Sequence, residues 1–521
     1  MRKGRALILA GALTLLGGCQ DFLDVNTNPN APQTVAANLY LPPMLSSMVL
    51  APLEDGRFNM GRYTQQMIPT FGNNFVRMGY DPPPSGDAGT KQWRDVYFVF
   101  GQNLVDMMNV AAAEQRWDIL GLGYILKAWG WQVLTDAHGE IIVKEAIDQT
   151  KLRFNYDSQE FVYGEVRRLL DSAVVYLERT DGAVDASFMA RGDKIYNGNR
   201  TKWLRFAHGL RALNLNHYSN KSTYSPAAVI ASVDQALQSN ADDALFLFPN
   251  TTSSDANELG ESRALFVSYR QTQFVVGLMN GTQFGGVEDP RMTRMLSPSP
   301  DGQYRGLDPN VTGFTGLTTA QQPNNPYGEP GGAAVPPGIY LFDDKVRVPV
   351  MTYAQLQFVK AEAAYRSGDR AAALAAYRNA LSAHIDFVNA RVSEGGQPAG
   401  AISTSQKAAF LANPAIVPTA ANLTLTHIMS QKYIAQWAWG HNELWMDMRR
   451  YRYIDVEPAT GRQVFAGFQV PTTLYSANAG KLVYRIRPRY NSEYVWNFEA
   501  VKAIGGDALD YHTKPLWIIE P

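Results

Sequence analysis

Apolar residues recur at helical spacing through most of the chain. The stretch 39–49 carries them, as does 93–110, where Trp93, Val96, Tyr97, Phe100, Leu104, Val105 and Met108 mark one face. The run 117–134 is strongly apolar and is closed by Asp136-Ala137-His138-Gly139. Further helices are predicted over 161–177 and 202–218, the second with Trp203, Phe206, Leu210 and Leu213 on its inner face. The pattern resumes at 353–367, 370–390 and 425–439. Between these helices, 71–90 reads as a loop, about 250–349 is rich in Gly, Pro, Asn and Thr with little periodicity, and 481–521 alternates short aromatic segments with turns. The expectation is a mostly α chain with a large irregular insertion and a coil-rich tail.

One helix pair carries a repeat signal. Ala361, Gly368-Asp369, Ala373, Tyr377 and Ala380 fall at the spacing of a tetratricopeptide unit, where small residues let two helices approach and one aromatic ring fills the groove. A lone unit cannot bury its own face, so it must dock on other helix pairs.

The N-terminus has a separate logic. Residues 1–5 are basic, 6–16 are almost wholly apolar, and Leu16-Gly17-Gly18 leads into Cys19, the single cysteine of the chain. The apolar run is too short to span a bilayer and reads as a cleaved export signal. Cys19 is then the expected lipidation site, because acyl chains bury at about 0.8 kcal/mol per CH₂ and anchor a soluble body to a membrane. With no second cysteine, no disulfide supports the fold. The expected layout is a signal peptide at 1–18, a tether strap at 19–33, and one body at 34–521. Within that body, a helical scaffold occupies about 34–249 and 350–450, the insertion about 250–349, and the tail 451–521.

Charge removes some classes of partner. Lys and Arg number 47 against 48 Asp and Glu, for a net charge of -1, so no basic field exists to hold a nucleic acid backbone. The Asp24-Asn26-Asn28-Asn30 alternation imitates a calcium loop, but Pro29 and Val35 stand where an EF-hand needs Gly and Glu. The seven His residues show no zinc-helix spacing, and no nucleophile elbow or phosphate-cradling loop is present. Asp136, His138 and Glu140 could suggest acid-base or metal work, yet their place after a helix favours a hydrogen-bonded turn. No metal and no cofactor is expected.

Several separated segments resemble one family, the SusD/RagB-like outer-membrane nutrient-binding lipoproteins. Cys19 followed by Asp21-Phe22-Leu23-Asp24-Val25-Asn26 and Asn28-Pro29-Asn30 is similar to the family's mature N-terminus. Further matches are Leu134-Thr135-Asp136 with Gly139, Tyr196-Asn197-Gly198-Asn199 with Lys202-Trp203, and Gln431-Lys432-Tyr433 with Glu443-Leu444-Trp445 and Arg449-Arg450. Arg489-Tyr490, Ser492-Glu493-Tyr494 and Pro515-Leu516-Trp517 complete the order. The residue preceding Gly17-Gly18-Cys19 departs from the usual Ala or Ser. The resemblance implies a tetratricopeptide-like scaffold and no enzymatic activity. It also implies capture of an oligosaccharide, or a peptide, delivered to a SusC-like TonB-dependent outer-membrane transporter for which the protein is the lid. The alternatives are a membrane-anchored glycan-degrading enzyme and a purely structural lid.

A neutral sugar is held by aromatic faces together with amide or guanidinium donors. The segment 71–80 offers that mixture, and Asn74, Phe75, Arg77 and Tyr80 are its candidate ligand residues. In the insertion, Tyr304, Arg305, Phe314, Tyr327 and Tyr340 sit among Gly, Pro and Asn, and Tyr304 and Tyr327 are the candidates there. Phe274 and Phe284 are expected in the core.

Overall fold

The computed structural model describes residues 35–71, 90–328, 340–394 and 400–521. Its principal helices in the first half are α1 (Leu41–Asp55), α2 (Gly101–Ala113), α3 (Trp117–His138), α4 (Gln159–Glu178), α5 (Arg200–His217) and α6 (Pro226–Gln235). A short α7 (Gln273–Met279) lies in the insertion, and α8 (Tyr353–Arg366), α9 (Arg370–Glu394), α10 (Leu425–Gln436) and α11 (His441–Arg450) follow it. Most start where a short polar side chain can take an orphan backbone N–H. Ser158, Asn199 and Thr424 cap α4, α5 and α10, and Thr352 with Gln355 forms a reciprocal capping box on α8. Each such cap is worth about 1 kcal/mol.

The helices pack in succession, α3 on α4, α4 on α5, α5 on α6, α6 on α8, and α8 on both α9 and α10. That serial stacking is the behaviour of helix-pair repeats. In the α8–α9 hairpin, Gly368 takes the left-handed φ of +86° that the tight turn requires. Ala361, Ala373, Ala380 and Tyr377 are fully buried, and the Tyr377 ring meets Phe358 edge-on at 6.1 Å. The unit read from the small residues is present, docked on α6 and α10.

One apolar core fills the space among α1–α6, and a second lies between α8–α11 and the insertion. Two small antiparallel sheets tie the insertion to the helices. β1 (Met67–Pro69) pairs with β3 (Tyr269–Gln271), and β2 (Ala244–Phe248) pairs with β4 (Val346–Met351). The expected continuous helix over 93–110 is instead broken. A π-helical turn, Asp95–Phe100, separates Lys91–Arg94 from α2, and Gly101 at φ +32° marks the break. Trp93, Val96, Phe100 and Leu104 still face the core.

A buried ionic chain joins the halves. Arg450 donates to both oxygens of Glu362 at 2.7 and 2.9 Å and to Asp447 at 2.6 Å, and Lys432 meets Asp447 at 2.8 Å. Asn216 of α5 and the Tyr451 hydroxyl also donate to Glu362, at 2.9 and 2.7 Å. Burial opposes the Glu362 charge, but Arg450 and its cationic neighbours outweigh it and hold this carboxyl well below the usual range. Charges taken from water repay their desolvation only when good geometry and further hydrogen bonds support them, and here each carboxylate accepts from several donors. Arg450→Met should lower stability by about 3–5 kcal/mol, because it removes the main cationic partner of the buried Glu362 and leaves Asp447 with Lys432 alone. Denaturant midpoints test this, with the double variant Arg450→Met/Glu362→Gln expected to be more stable than Arg450→Met alone.

Candidate functional site

The insertion, the chain before β1 and the tail meet around a polar cavity of about 390 Å³. α7 supplies Gln273 and, at its end, Asn280; the following turn supplies Thr282 and Gln283. Tyr304, Arg305, Asp308 and Asn310 form a second wall, and Gln65 and Gln469 a third. The amide side chains offer donors and acceptors in pairs, which suits a ligand dense in hydroxyl groups.

The walls are fixed by backbone bonds rather than by packing alone. Leu307 N–H donates to the Gln271 carbonyl at 2.9 Å, the Leu307 carbonyl accepts from Gln273 N–H at 3.0 Å, and the Gln271 side-chain amide donates to the Arg305 carbonyl at 2.9 Å. A side chain at Gly306 would lie 2.0 Å from the Thr272 backbone, so only glycine admits this approach. Gln65 sits in the left-handed region at φ 54°, an uncommon state for a residue with a side chain. Its amide donates to the Gln469 carbonyl at 2.7 Å, and its own carbonyl accepts from the Thr272 hydroxyl. On either side, the Thr64 carbonyl accepts from the Tyr433 hydroxyl at 2.9 Å, and the Gln66 side chain accepts from Ala438 N–H at 2.9 Å. Helix α10 therefore sets one wall of the cavity.

Of the residues expected to hold a ligand, Tyr304 lines this cavity and is half-buried against the second core. Burial pushes its hydroxyl pKa up, keeping it a donor. Tyr327 does not fit its expected role. It is fully buried, its ring packs edge-on to Phe342, and its hydroxyl accepts from Phe266 N–H at 3.2 Å, so neither aromatic face is open to a sugar. Tyr340 is likewise buried. Phe274 and Phe284 are core residues as expected, Phe274 lying 4.9 Å from Tyr433 ring to ring. Asn74, Phe75, Arg77, Tyr80 and Cys19 lie outside the described residues. Reasoning from aromatic rings missed the amides of Gln273, Asn280 and Gln283, whose signal was the density of Asn and Gln around 271–283, and that of Gln469, which had no such signal.

A second groove, about 590 Å³, runs beside Phe246, Leu247 and Phe248, with Leu50 and Pro42 opposite. Its exposed surface is mostly apolar, and charged residues at its edge are already bonded within the protein, Asp193 to the Trp203 indole at 2.8 Å and Arg263 to the Ser254 carbonyl at 2.8 Å, so it is less suited to a hydrated ligand.

The Asp136 to Glu140 turn serves the fold. His138 shares a hydrogen bond with the Ile486 carbonyl at 3.0 Å, and burial pushes its pKa down to about 4. Glu140 pairs with Arg485 at 2.7 Å. Asp136 belongs to a buried cluster with His217 and Glu443, the one grouping among the described residues with metal-ligand chemistry. Its carboxylates lie toward different ring nitrogens, Glu443 3.1 Å from Nε2 and Asp136 3.6 Å from Nδ1. That is the arrangement of a protonated imidazole between two anions. Gln132 donates to both Asp136 oxygens at 2.8 Å and the Tyr163 hydroxyl donates at 2.5 Å, completing the cluster.

The family described as starch-binding and associating with the outer membrane, the SusD-like family, matches residues 29–475. The chain belongs to that family. A SusD/RagB family protein from Bacteroides thetaiotaomicron is similar in fold, with a TM-score of 0.69 at 19% identity over 93% of this chain and 99% of the other. A SusD homologue from Bacteroides fragilis superposes with a TM-score of 0.70 at 19% identity, over 94% of this chain and 100% of the other. A chitin-binding SusD homologue from Flavobacterium johnsoniae gives 0.68 at 20% identity, over 93% and 98%. No curated protein matches the sequence. These likenesses establish the mostly α, tetratricopeptide-like SusD fold, and the family is described as one of binding proteins. No helix among the described residues is long and apolar enough to cross a membrane.

Burial opposes charge on His217, but Glu443 and Asp136 outweigh it and raise its pKa to about 9, above the ordinary 6.5. The stabilisation from this cluster is therefore full below about pH 6.5 and lost as pH rises through about 9. A melting-temperature profile from pH 6 to about 10 should fall over that window, and His217→Gln should flatten the fall while lowering stability at pH 6.

Proposed function

We propose that the protein is a surface lipoprotein of the outer membrane, anchored through Cys19, that captures an oligosaccharide and passes it to a SusC-like TonB-dependent transporter. The observation that carries the ligand reading is the amide-lined cavity with Tyr304 on its wall, set in a fold whose family is described as starch-binding. A chitin-binding relative of the same fold supports a saccharide ligand. Stacking on Tyr304 and hydrogen bonds from Gln273, Gln283 and Asn280 are the two kinds of contact that a pyranose ring accepts. Asn74, Phe75, Arg77 and Tyr80 are carried into the proposal on their side-chain chemistry alone.

Capture requires no bond to be broken, so a glycan incubated with the protein keeps its chain length. Turnover of any glycan in a panel would instead support the membrane-anchored hydrolase.

Three measurements follow from the proposal. Tyr304→Ala with Gln283→Ala should weaken glycan retention by about tenfold or more, since base-level stacking and one hydrogen bond are each worth about 1 kcal/mol, as read by calorimetry. Phe75→Ala with Tyr80→Ala should abolish retention with the melting temperature nearly unchanged; a large loss of stability would assign those rings to packing. Cys19→Ser should move the protein from the membrane to the soluble fraction, because the acyl chains are its anchor.

A further inference from the structure

The apolar groove of about 590 Å³ lies where the chain enters the body. Helix α1 starts against the segment 188–192: the Asn38 amide donates to the Phe188 carbonyl at 3.0 Å, and a side chain at Gly192 would lie 1.9 Å from the Asn38 carbonyl. The chain that follows Gly192, as far as Ile195, lines one end of the groove. Pro42, Ser46 and Leu50, spaced by four, form a stripe of α1 along one side. On the other side Phe246, Leu247, Phe248 and Pro249 line it in succession. Strand side chains alternate between faces, so a groove that touches all four follows the edge of β2. Among the described residues β2 pairs with β4 alone, which leaves the backbone groups of that second edge open to another strand. Leu247 is 36% exposed, and Leu50 and Phe246 are half-buried, so the groove is also short of apolar cover.

We propose that the strap between Cys19 and the body docks in this groove, residues 21–25 adding a strand to the open edge of β2. A spacer made only for reach is polar throughout, yet the strap carries Phe22, Leu23 and Val25 within four residues. In an extended segment Leu23 and Val25 share one face, and Asp24 points the other way, to water. Pro29 and Pro32 lack the N–H that a ladder needs, so pairing is confined to the residues before them. Residues 26–34 then span up to about 30 Å, and the chain they join enters at the groove's own end. At the rim Asp193, Arg263 and Asp255 are already bonded within the body, to Trp203, the Ser254 carbonyl and Thr252 N–H, so the docking is apolar and backbone-made and changes little with salt. The result is a tether of two lengths. Docked, Cys19 lies two residues from the added strand and the α1–β2 face is held near the anchor; released, residues 20–34 extend up to about 50 Å and let the body swing. That consequence rests on the lipidation of Cys19, whereas the docking itself does not.

The experiment uses the whole mature chain, residues 19–521, carrying Cys19→Ser so that no lipid is present, and reads amide hydrogen exchange. Amides of 22–25 and of 245–248 should exchange about tenfold more slowly than in the same chain carrying Phe22→Ser, Leu23→Ser and Val25→Ser, which corresponds to a strap docked about nine-tenths of the time. Those three positions lie outside the described body, so its melting temperature should hardly move. With Cys19 removed, Leu23→Cys and Leu247→Cys supply the only thiols, and mild oxidation should join them at least tenfold faster than Leu23→Cys with Leu509→Cys, a residue 62% exposed on the tail. Equal cross-linking of the two pairs, or unprotected amides at 22–25, would overturn the proposal. Protection of 22–25 that appears only when the lipidated protein sits on vesicles would overturn it too, by giving the apolar residues to the bilayer. Protection of 245–248 that rises with protein concentration and ignores the serine substitutions would give the groove to a second copy of the chain instead.

Discussion

The ionic chain from Lys432 through Asp447 and Arg450 to Glu362 is the constraint on which the rest of the structure hangs. Its members come from α8, α10, α11 and, through Asn216, α5. Each charged side chain is about 1% exposed or less, so none can trade its partner for solvent. Apolar surfaces attract without specifying register, whereas Arg450 reaches both oxygens of Glu362 in one arrangement of the helices. The repeat-like scaffold is thereby fixed against the C-terminal helices.

That rigidity reaches the cavity through α10. The helix that carries Lys432 also carries Tyr433, whose hydroxyl holds the Thr64 carbonyl and whose ring supports Phe274 at the base of the cavity. Gln65 is kept in its left-handed state between Tyr433 on one side and Thr272 and Gln469 on the other. A binding surface built mostly from turns thus acquires the order of the helices behind it, which lowers the entropy a ligand would otherwise have to remove. The His217 cluster plays a comparable part on the other side, joining α3, α4 and α5 to Glu443 of α11.

How much of this was legible in the sequence depends on period. Long helices with an apolar pattern, such as α3, α4, α5 and α9, announced themselves, as did the hairpin whose alanines let α8 and α9 approach. Helix α11 did not, because Arg449, Arg450 and Asp447 look like a solvated face until their partners arrive from distant segments. The break at Gly101 was hidden for the opposite reason: the apolar face continues unchanged across it. In the insertion, Tyr304 and Tyr327 look alike among their Gly, Pro and Asn neighbours. Only the long-range packing of Tyr327 against Phe342 and Phe266 N–H tells a buried ring from one on a cavity wall. The amides escaped notice because hydrogen-bonding side chains in turns are common, and their convergence comes from strands β1 and β3 together with the Gly306 crossing.

A crystal structure of the mature protein soaked with a neutral oligosaccharide tests the central claim most directly. The account predicts a sugar ring over Tyr304, with hydroxyl groups within hydrogen-bond distance of Gln283 and Asn280. Ordered sugar in the apolar groove beside Phe246 and Leu247, with the amide-lined cavity holding none, would contradict it.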